Sequence, residues 1–312
     1  MSVVRVGVIG LGLIGGSIAR RLAELPDLYD PIGFDTQRQP RSGLAQTESL
    51  EQLAREAALV IVAVPPRQAA AVISATLAAD QNVLVTDVAS VKQPIMDAVG
   101  SDPRYLPSHP LAGSETTGWS AARAELLEGA VWAVCPPAPN APAELLCRWA
   151  AVFDAFDARL IVCDPREHDR AVARTSHAPH VVAAVMAAAL AEDQFPRLSA
   201  ALSGGSFREV ARVARSDAAL WREILELNGG NVAAVVSDLQ SRLAEPPEWQ
   251  TAGETSALVR ELRWGNPGWE RREFDWPAWD ELLRLGREGT AIRRLDFDGE
   301  HLSADVAVPL HL

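Results

Sequence analysis

The sequence predicts an α/β protein in two parts: a doubly wound parallel sheet over residues 1–165, then an all-α unit over 166–312 with a tryptophan-rich tail. Three observations lead there. Short β-branched apolar runs alternate with helical patterns through the first half, as expected of a parallel sheet with helices on both faces. The first apolar run ends in a glycine-punctuated turn into a helix. Beyond about residue 165, long helical patterns follow one another with no strand between them.

The elements follow in order. "VVRVGVIG" is a strand buried on both faces, and "LGLIGGSIARRL" turns through glycines into a helix. "YDPIGFD" (29–35) is a second strand ending in Asp35, and "SLEQLAREA" a polar helix. "LVIVAVPP" (59–66) is a buried strand stopped by two prolines, followed by the helix "RQAAAVISATLAA". "QNVLVTDVAS" (81–90) and "AVWAVCP" (130–136) are further strands, with "SHPLAGSETTG" as a polar, glycine-rich loop before the second. "LLCRWAAVFDAFDARLIVCDP" supplies a helix and a short strand. "HVVAAVMAAALA" (180–191) is a buried helix too short to span a bilayer. In the tail, "AIRRLDFDGEHLSADVAV" reads as a hairpin around its Asp-Gly turn.

Composition narrows the function classes. The net charge is −12 and the pI about 5.0, which argues against nucleic acid or an anionic membrane surface as partner. Anionic small molecules remain open, since they need only a local positive pocket. The three cysteines, Cys135, Cys147 and Cys163, form no CxxC pair, so reduced thiols and a cytoplasmic location are expected. The N-terminal apolar run is filled with glycines and no small-residue cleavage site follows it, so it is not read as a signal peptide.

Gly10, Gly12 and Gly15 stand in the spacing G-x-G-x-x-G between a strand and a helix. Gly10 permits the tight turn, Gly12 a close backbone approach to a pyrophosphate, and Gly15 close helix–strand packing. Leu13 and Ile14 open the helix, whose N-terminal N–H groups face the phosphates. Asp35 closes the next strand 20 residues after Gly15; its carboxylate suits ribose hydroxyls and repels a 2′-phosphate. The reading is a Rossmann-type NAD site, with Arg38 nearby as a feature that weakens the preference over NADP.

Ser90 in "TDVASVK" and His109 in "SHPLAGSE" fall after strands whose carboxyl ends would face a nicotinamide. A hydride leaving a carbinol carbon requires a base for the hydroxyl proton, and histidine has a suitable pKa. Spacing alone leaves a second reading open, a loop histidine capping local backbone. In the helical half, His177 and His180 lie three apart without an acidic or cysteine partner on their face, apart from the ordinary Asp169 upstream, so no metal is expected. Arg208, Arg212 and Arg215 recur on one side of the helix that Gly205 opens. They form either a solvated face or a carboxylate clamp.

Four segments, "VGVIGLGLIGGSIA", "TDVASVK", "SHPLAGSETTG" and "SHAPHVVA...SGGSFREVARVARSDAALWREI", together resemble the prephenate dehydrogenase family, which includes arogenate dehydrogenases. The resemblance covers about 4–240. It implies that His109 is the catalytic histidine on the substrate's ring hydroxyl, that Ser90 assists it, and that Glu115 gates or orients in the same loop. It also implies that His177 lies near substrate and nicotinamide, that Arg212 binds a substrate carboxylate, and that Trp221 and Gly205 lie near the substrate. His180 is read as a satisfied core residue. The implied activity is NAD-dependent oxidation of prephenate, with arogenate as the alternative substrate and Glu209 as a candidate partner for its amine. A homodimer through the helical half is expected. Ala89 stands where the family often has glycine.

A β-hydroxyacid dehydrogenase shares the two-part plan but relies on a lysine in the helical half, and Lys92 is the only lysine here. A non-catalytic NAD-binding protein would have no reason to hold Ser90, His109, His177 and Arg212 together. The tail, with Trp249, Trp264, Trp269, Trp276 and Trp279, is too short for a regulatory βαββαβ unit and is expected to pack on the helical half or a subunit partner.

Overall fold

A computed structural model describes residues 3–37, 41, 43–114, 116–136, 141–244 and 268–307. Its strands are β1 (Val4–Ile9), β2 (Tyr29–Phe34), β3 (Ala45–Gln46), β4 (Leu59–Val62), β5 (Leu84–Asp87), β6 (Tyr105–Pro110), β7 (Val131–Val134), β8 (Arg159–Val162), β9 (Glu270–Asp275), β10 (Ala291–Phe297) and β11 (His301–Ala307). They form one sheet in the order β3-β2-β1-β4-β5-β6-β7-β8-β10-β11-β9. From β3 to β6 the pairing is parallel. This stretch is the doubly wound order, with its crevice where the winding reverses between β1 and β4.

The helices of this half are α1 (Leu13–Ala23), α2 (Leu50–Glu56), α3 (Pro66–Ala79), α4 (Gln93–Val99) and α5 (Ala143–Asp154). Local chemistry explains their limits. Ser49 caps α2 by accepting from the Gln52 N–H, and Pro66 stands in the first turn of α3, where no N–H partner is missed. All four residues of β4 are buried, as a strand covered on both faces requires.

The helical half holds α6 (Pro165–Val172), α7 (Ala178–Ala191), α8 (Pro196–Ala201), α9 (Gly205–Val213), α10 (Ala218–Leu227) and α11 (Gly229–Ala244). A π-turn over Ala173–His177 joins α6 to α7. Pro179, in the first turn of α7, has no N–H for the carbonyl four residues back and crowds it, which accounts for the widened turn. The half docks on the sheet through α10. Its Ile224 is 2% exposed in the core beneath β4 and β5, and Arg67 on α3 pairs with Glu226.

Two expectations are corrected here. Residues 270–307 do not belong to the helical unit. β9, α12 (Trp279–Arg287), β10 and β11 extend the sheet from β8, and the expected hairpin is the β10–β11 pair. The cause is apolar alternation along β11, whose Leu302, Ala304 and Val306 enter the main core with Trp279 and Leu282. A Cβ on Gly286 would be driven into the Val162 carbonyl, so α12 lies directly on β8. Trp279 donates to the Ala141 carbonyl at 2.8 Å and Trp276 packs edge-on against it, so this part of the tail packs on the nucleotide half. Trp249 and Trp264 lie outside the described residues. Second, α7 is not buried within the chain: only Ala178 and Ala183 are, and Val185 is 62% exposed.

Candidate functional site

The glycine turn between β1 and α1 has the predicted form. Gly10 adopts φ +92°, open to glycine, and a Cβ on Gly15 would strike the Gly10 carbonyl. Gly12 has no atom within 4 Å of where a Cβ would stand, and α1 starts there with no side-chain cap. Its first N–H groups therefore face open space, the arrangement that receives a pyrophosphate. Asp35 accepts from Leu11 N–H at 2.7 Å through one oxygen and from Gln37 N–H at 2.8 Å through the other. It thus also ties the turn to the end of β2, and each oxygen keeps a second lone pair. Arg38 lies outside the described residues.

At the ends of β5 and β6 a buried polar cluster fixes the backbone. Asp87 accepts from Tyr105 Oη at 2.8 Å, from Ala89 N–H at 3.0 Å and from Lys92 Nζ. Lys92 also donates to the Ser108 carbonyl at 2.7 Å and is 0% exposed. Lys92 therefore anchors the residue before His109. His109 itself lies on β6 opposite Ala133 of β7, a strand position where a loop was expected. Half-buried Ser90 follows β5, three residues beyond Asp87, whose register partner on β6 is Pro107. Among the described residues the Ser90 hydroxyl makes no hydrogen bond. Glu115 lies outside them.

His109 Nδ1 stands 2.9 Å from His168 Nε2, with the two ring planes inclined at 76°. His168 Nδ1 stands 2.8 Å from Asp169 Oδ1. Asp169 also accepts from the backbone N–H groups of Lys92 at 2.8 Å and Gln93 at 2.9 Å. Sequence reasoning missed His168 and passed over Asp169 as ordinary. Both lie on α6, whose start Asp164 caps. Burial, with the neighbouring His168, Lys92 and His177, holds the His109 pKa well below its ordinary value. Burial also lowers His168, against the opposing pull of Asp169.

From the same Asp169 a second arm reaches His177. Asn228 Nδ2 donates to the Asp169 carbonyl at 2.8 Å and to His177 Nδ1 at 3.1 Å, while its Oδ1 accepts from Asn231 at 2.8 Å. With Nδ1 accepting, the proton of neutral His177 sits on Nε2. That atom is buried without a partner, at a cost of about 1–3 kcal/mol, and so awaits an acceptor. Burial lowers the His177 pKa to about 4. Asn228, in "LELNGGN", is a further residue the sequence reading missed.

Trp221 meets His177 edge-on at 5.8 Å and stacks on His180 at 3.7 Å. His180 is thus a half-buried wall rather than the core residue expected. It donates to the Ser176 carbonyl at 2.9 Å, and the charge of Arg212 adds to burial in lowering its pKa. His177, Trp221 and His180 therefore stand in series, with His109 near enough to His177, and Arg212 to His180, for its charge to be felt. Arg212 is exposed on α9, which Gly205 opens. Arg208 donates to the Ser203 carbonyl at 3.0 Å, and Glu209 is exposed beside it. A neutral half-buried imidazole, an unpaired N–H donor, an arginine and an open glycine turn together suit a dinucleotide and an anionic substrate.

Comparison with known proteins gives a consistent picture. A family model described as prephenate dehydrogenase, nucleotide-binding domain, matches residues 28–162, and one described as prephenate dehydrogenase, dimerization domain, matches 164–264. A cyclohexadienyl dehydrogenase from Zymomonas mobilis is 33% identical over 260 residues, which span 79% of this chain and 87% of that protein. A prephenate dehydrogenase from Bacillus subtilis is 30% identical over 69% of this chain, and the match spans 62% of its own length. A Corynebacterium glutamicum crystal structure assigned as a prephenate dehydrogenase superposes with a TM-score of 0.79 at 28% identity, covering 92% of this chain and 98% of that one.

Proposed function

Because the chain belongs to the prephenate dehydrogenase family, we propose that it catalyses the NAD-dependent oxidative decarboxylation of prephenate to 4-hydroxyphenylpyruvate, in tyrosine biosynthesis. The observation that carries this reading is His109: a half-buried imidazole, its pKa held well below the ordinary value, with one nitrogen engaged by His168. It lies toward the carboxyl end of β6, the end of the sheet at which doubly wound folds bind dinucleotides.

NAD, held at the glycine turn, would supply the hydride acceptor for the carbinol carbon. His109 takes the proton of the ring hydroxyl as that hydride leaves. The bond to the ring carboxylate then breaks, carbon dioxide departs, and its electron pair makes the ring aromatic. The proton returns from His109 to the phenolate oxygen, so the base is regenerated. Ser90 holds the substrate oxygen or the imidazole, and Arg212 grips a carboxylate through two parallel N–H bonds. Trp221 and Gly205 border the substrate, and Glu115, outside the described residues, has the gating or orienting role that the family resemblance implies. His177 offers its Nε2–H to an acceptor on cofactor or substrate. The loop at Gly10, Gly12, Leu13, Ile14 and Gly15 receives the pyrophosphate, and Asp35 favours NAD over NADP.

The protein works as a homodimer. Val182, Val185 and Met186 on α7, with Leu198 and Leu202 on α8 and just after it, expose an apolar face, and a second copy covers such a face most economically. The cysteines are free thiols, as befits the cytoplasm. Among the described residues no helix is long and apolar enough to cross a membrane.

The test is the appearance of reduced-nicotinamide absorbance with prephenate or arogenate, each with NAD and NADP. Turnover of prephenate with NAD is expected to be fastest. A silent enzyme with both substrates overturns the reading, and faster turnover of arogenate reassigns the substrate.

A further inference from the structure

The line of donors behind His109 has a direction. Asp169 already accepts two backbone N–H groups, and a carboxylate has no proton to give. His168 Nδ1, 2.8 Å from it, must therefore be the donor. Neutral His168 then carries its lone pair on Nε2, and that lone pair faces His109 Nδ1 at 2.9 Å. The contact is satisfied only if His109 Nδ1 carries the proton.

We propose that His168, backed by Asp169, is a positioning residue that sets the tautomer of His109, leaving its Nε2 as the basic nitrogen. This rests on the reading of His109 as the base for the substrate hydroxyl. Neutral imidazole in water populates both tautomers, and only one presents a lone pair to the substrate. The relay makes that form the resident one. When Nε2 takes the hydroxyl proton, Nδ1 keeps its own and still donates to His168. No proton passes along the chain, and the positive charge formed on His109 meets an acceptor lone pair. Asp169 is also the point from which Asn228 directs the second histidine, His177. One residue, through its carboxylate to His168 and its backbone carbonyl to Asn228, thus organises the protonation of both imidazoles. The arrangement spans the two halves, since His109 lies on β6 and His168 on α6.

The experiment joins a spectrum to kinetics. In nitrogen-15 histidine spectra of the substrate-free wild type, His109 is expected with Nδ1 protonated and Nε2 bare. Finding the proton on Nε2 overturns the proposal without any variant. His168→Phe removes the acceptor. It is expected to shift His109 toward the other tautomer and to lower kcat about 100-fold with both KM values unchanged. His168→Gln, whose side-chain oxygen can accept from His109, is expected to recover most of that loss. Equal kcat in wild type and His168→Phe, or a fall in His168→Gln as deep as in His168→Phe with the tautomer unmoved, overturns it. An inactive wild type would sink the dehydrogenase reading instead, while the spectrum still decides the tautomer.

Discussion

Lys92 Nζ lies against the Asp87 carboxylate with both side chains fully buried, and the same ammonium donates to the carbonyl of Ser108, next to His109. The chain's one lysine is therefore a structural cation beneath the site. Removing it leaves a buried carboxylate without its counter-charge, which costs about 3–5 kcal/mol. Lys92→Met is expected to lose that much in urea unfolding. Asp87→Asn added to Lys92→Met is expected to recover part of it, because the unpaired charge is then gone.

The glycine turn separates folding from cofactor binding. A Cβ at position 15 meets the Gly10 carbonyl, whereas at position 12 it meets open space. Gly15→Ala is expected to destabilise the fold by about 1–3 kcal/mol. Gly12→Ala is expected to fold normally but to weaken NAD about 10-fold or more, since 1.4 kcal/mol of lost phosphate contact suffices. Thermal melts with and without NAD separate the two.

Arg212 is assigned to a carboxylate of the substrate and not to the cofactor. Arg212→Lys keeps the charge but loses the paired N–H geometry. The expected result is a KM for prephenate raised about 10-fold or more with the KM for NAD unchanged. A change in the NAD constant instead would place the guanidinium elsewhere.

Burial lowers the folded-state pKa of His109, His168 and His177 from an ordinary 6.5, in His177 to about 4. Above pH 6.5 neither folded nor unfolded chain protonates these rings. Below it the unfolded chain binds protons first, so stability falls with pH, by up to about 1.4 kcal/mol per unit for each ring. The His177 share of the fall ends near pH 4. Urea unfolding across this window is expected to show the slope, reduced by one ring's share in His177→Leu. A stability that stays level below pH 6.5 would contradict the burial of these rings.

Legibility in the sequence followed distance along the chain. The β1 turn, α1 and Asp35 sit within one short unit, so glycine spacing and apolar runs were enough to find them. His109 could be found as a histidine beside a strand, but not its partner. His168 lies 59 residues away on another element, within "REHDRAV", which reads as an ordinary polar helix. Asn228 is 51 residues from His177 and looks like a helix-end asparagine. The final hairpin was visible in its alternation, yet its union with β8 rests on a single register pair, Ile292 with Leu160, which no local pattern announces. Exposure of α7 in the lone chain was hidden for the same reason, since hydrophobicity does not say what covers it.

The most direct measurement is stopped-flow formation of reduced nicotinamide at saturating NAD and prephenate, wild type against His109→Asn. If His109 is the base, the variant binds both ligands with wild-type affinity and transfers hydride at least about 100-fold more slowly. Equal rates in the two proteins would contradict the account.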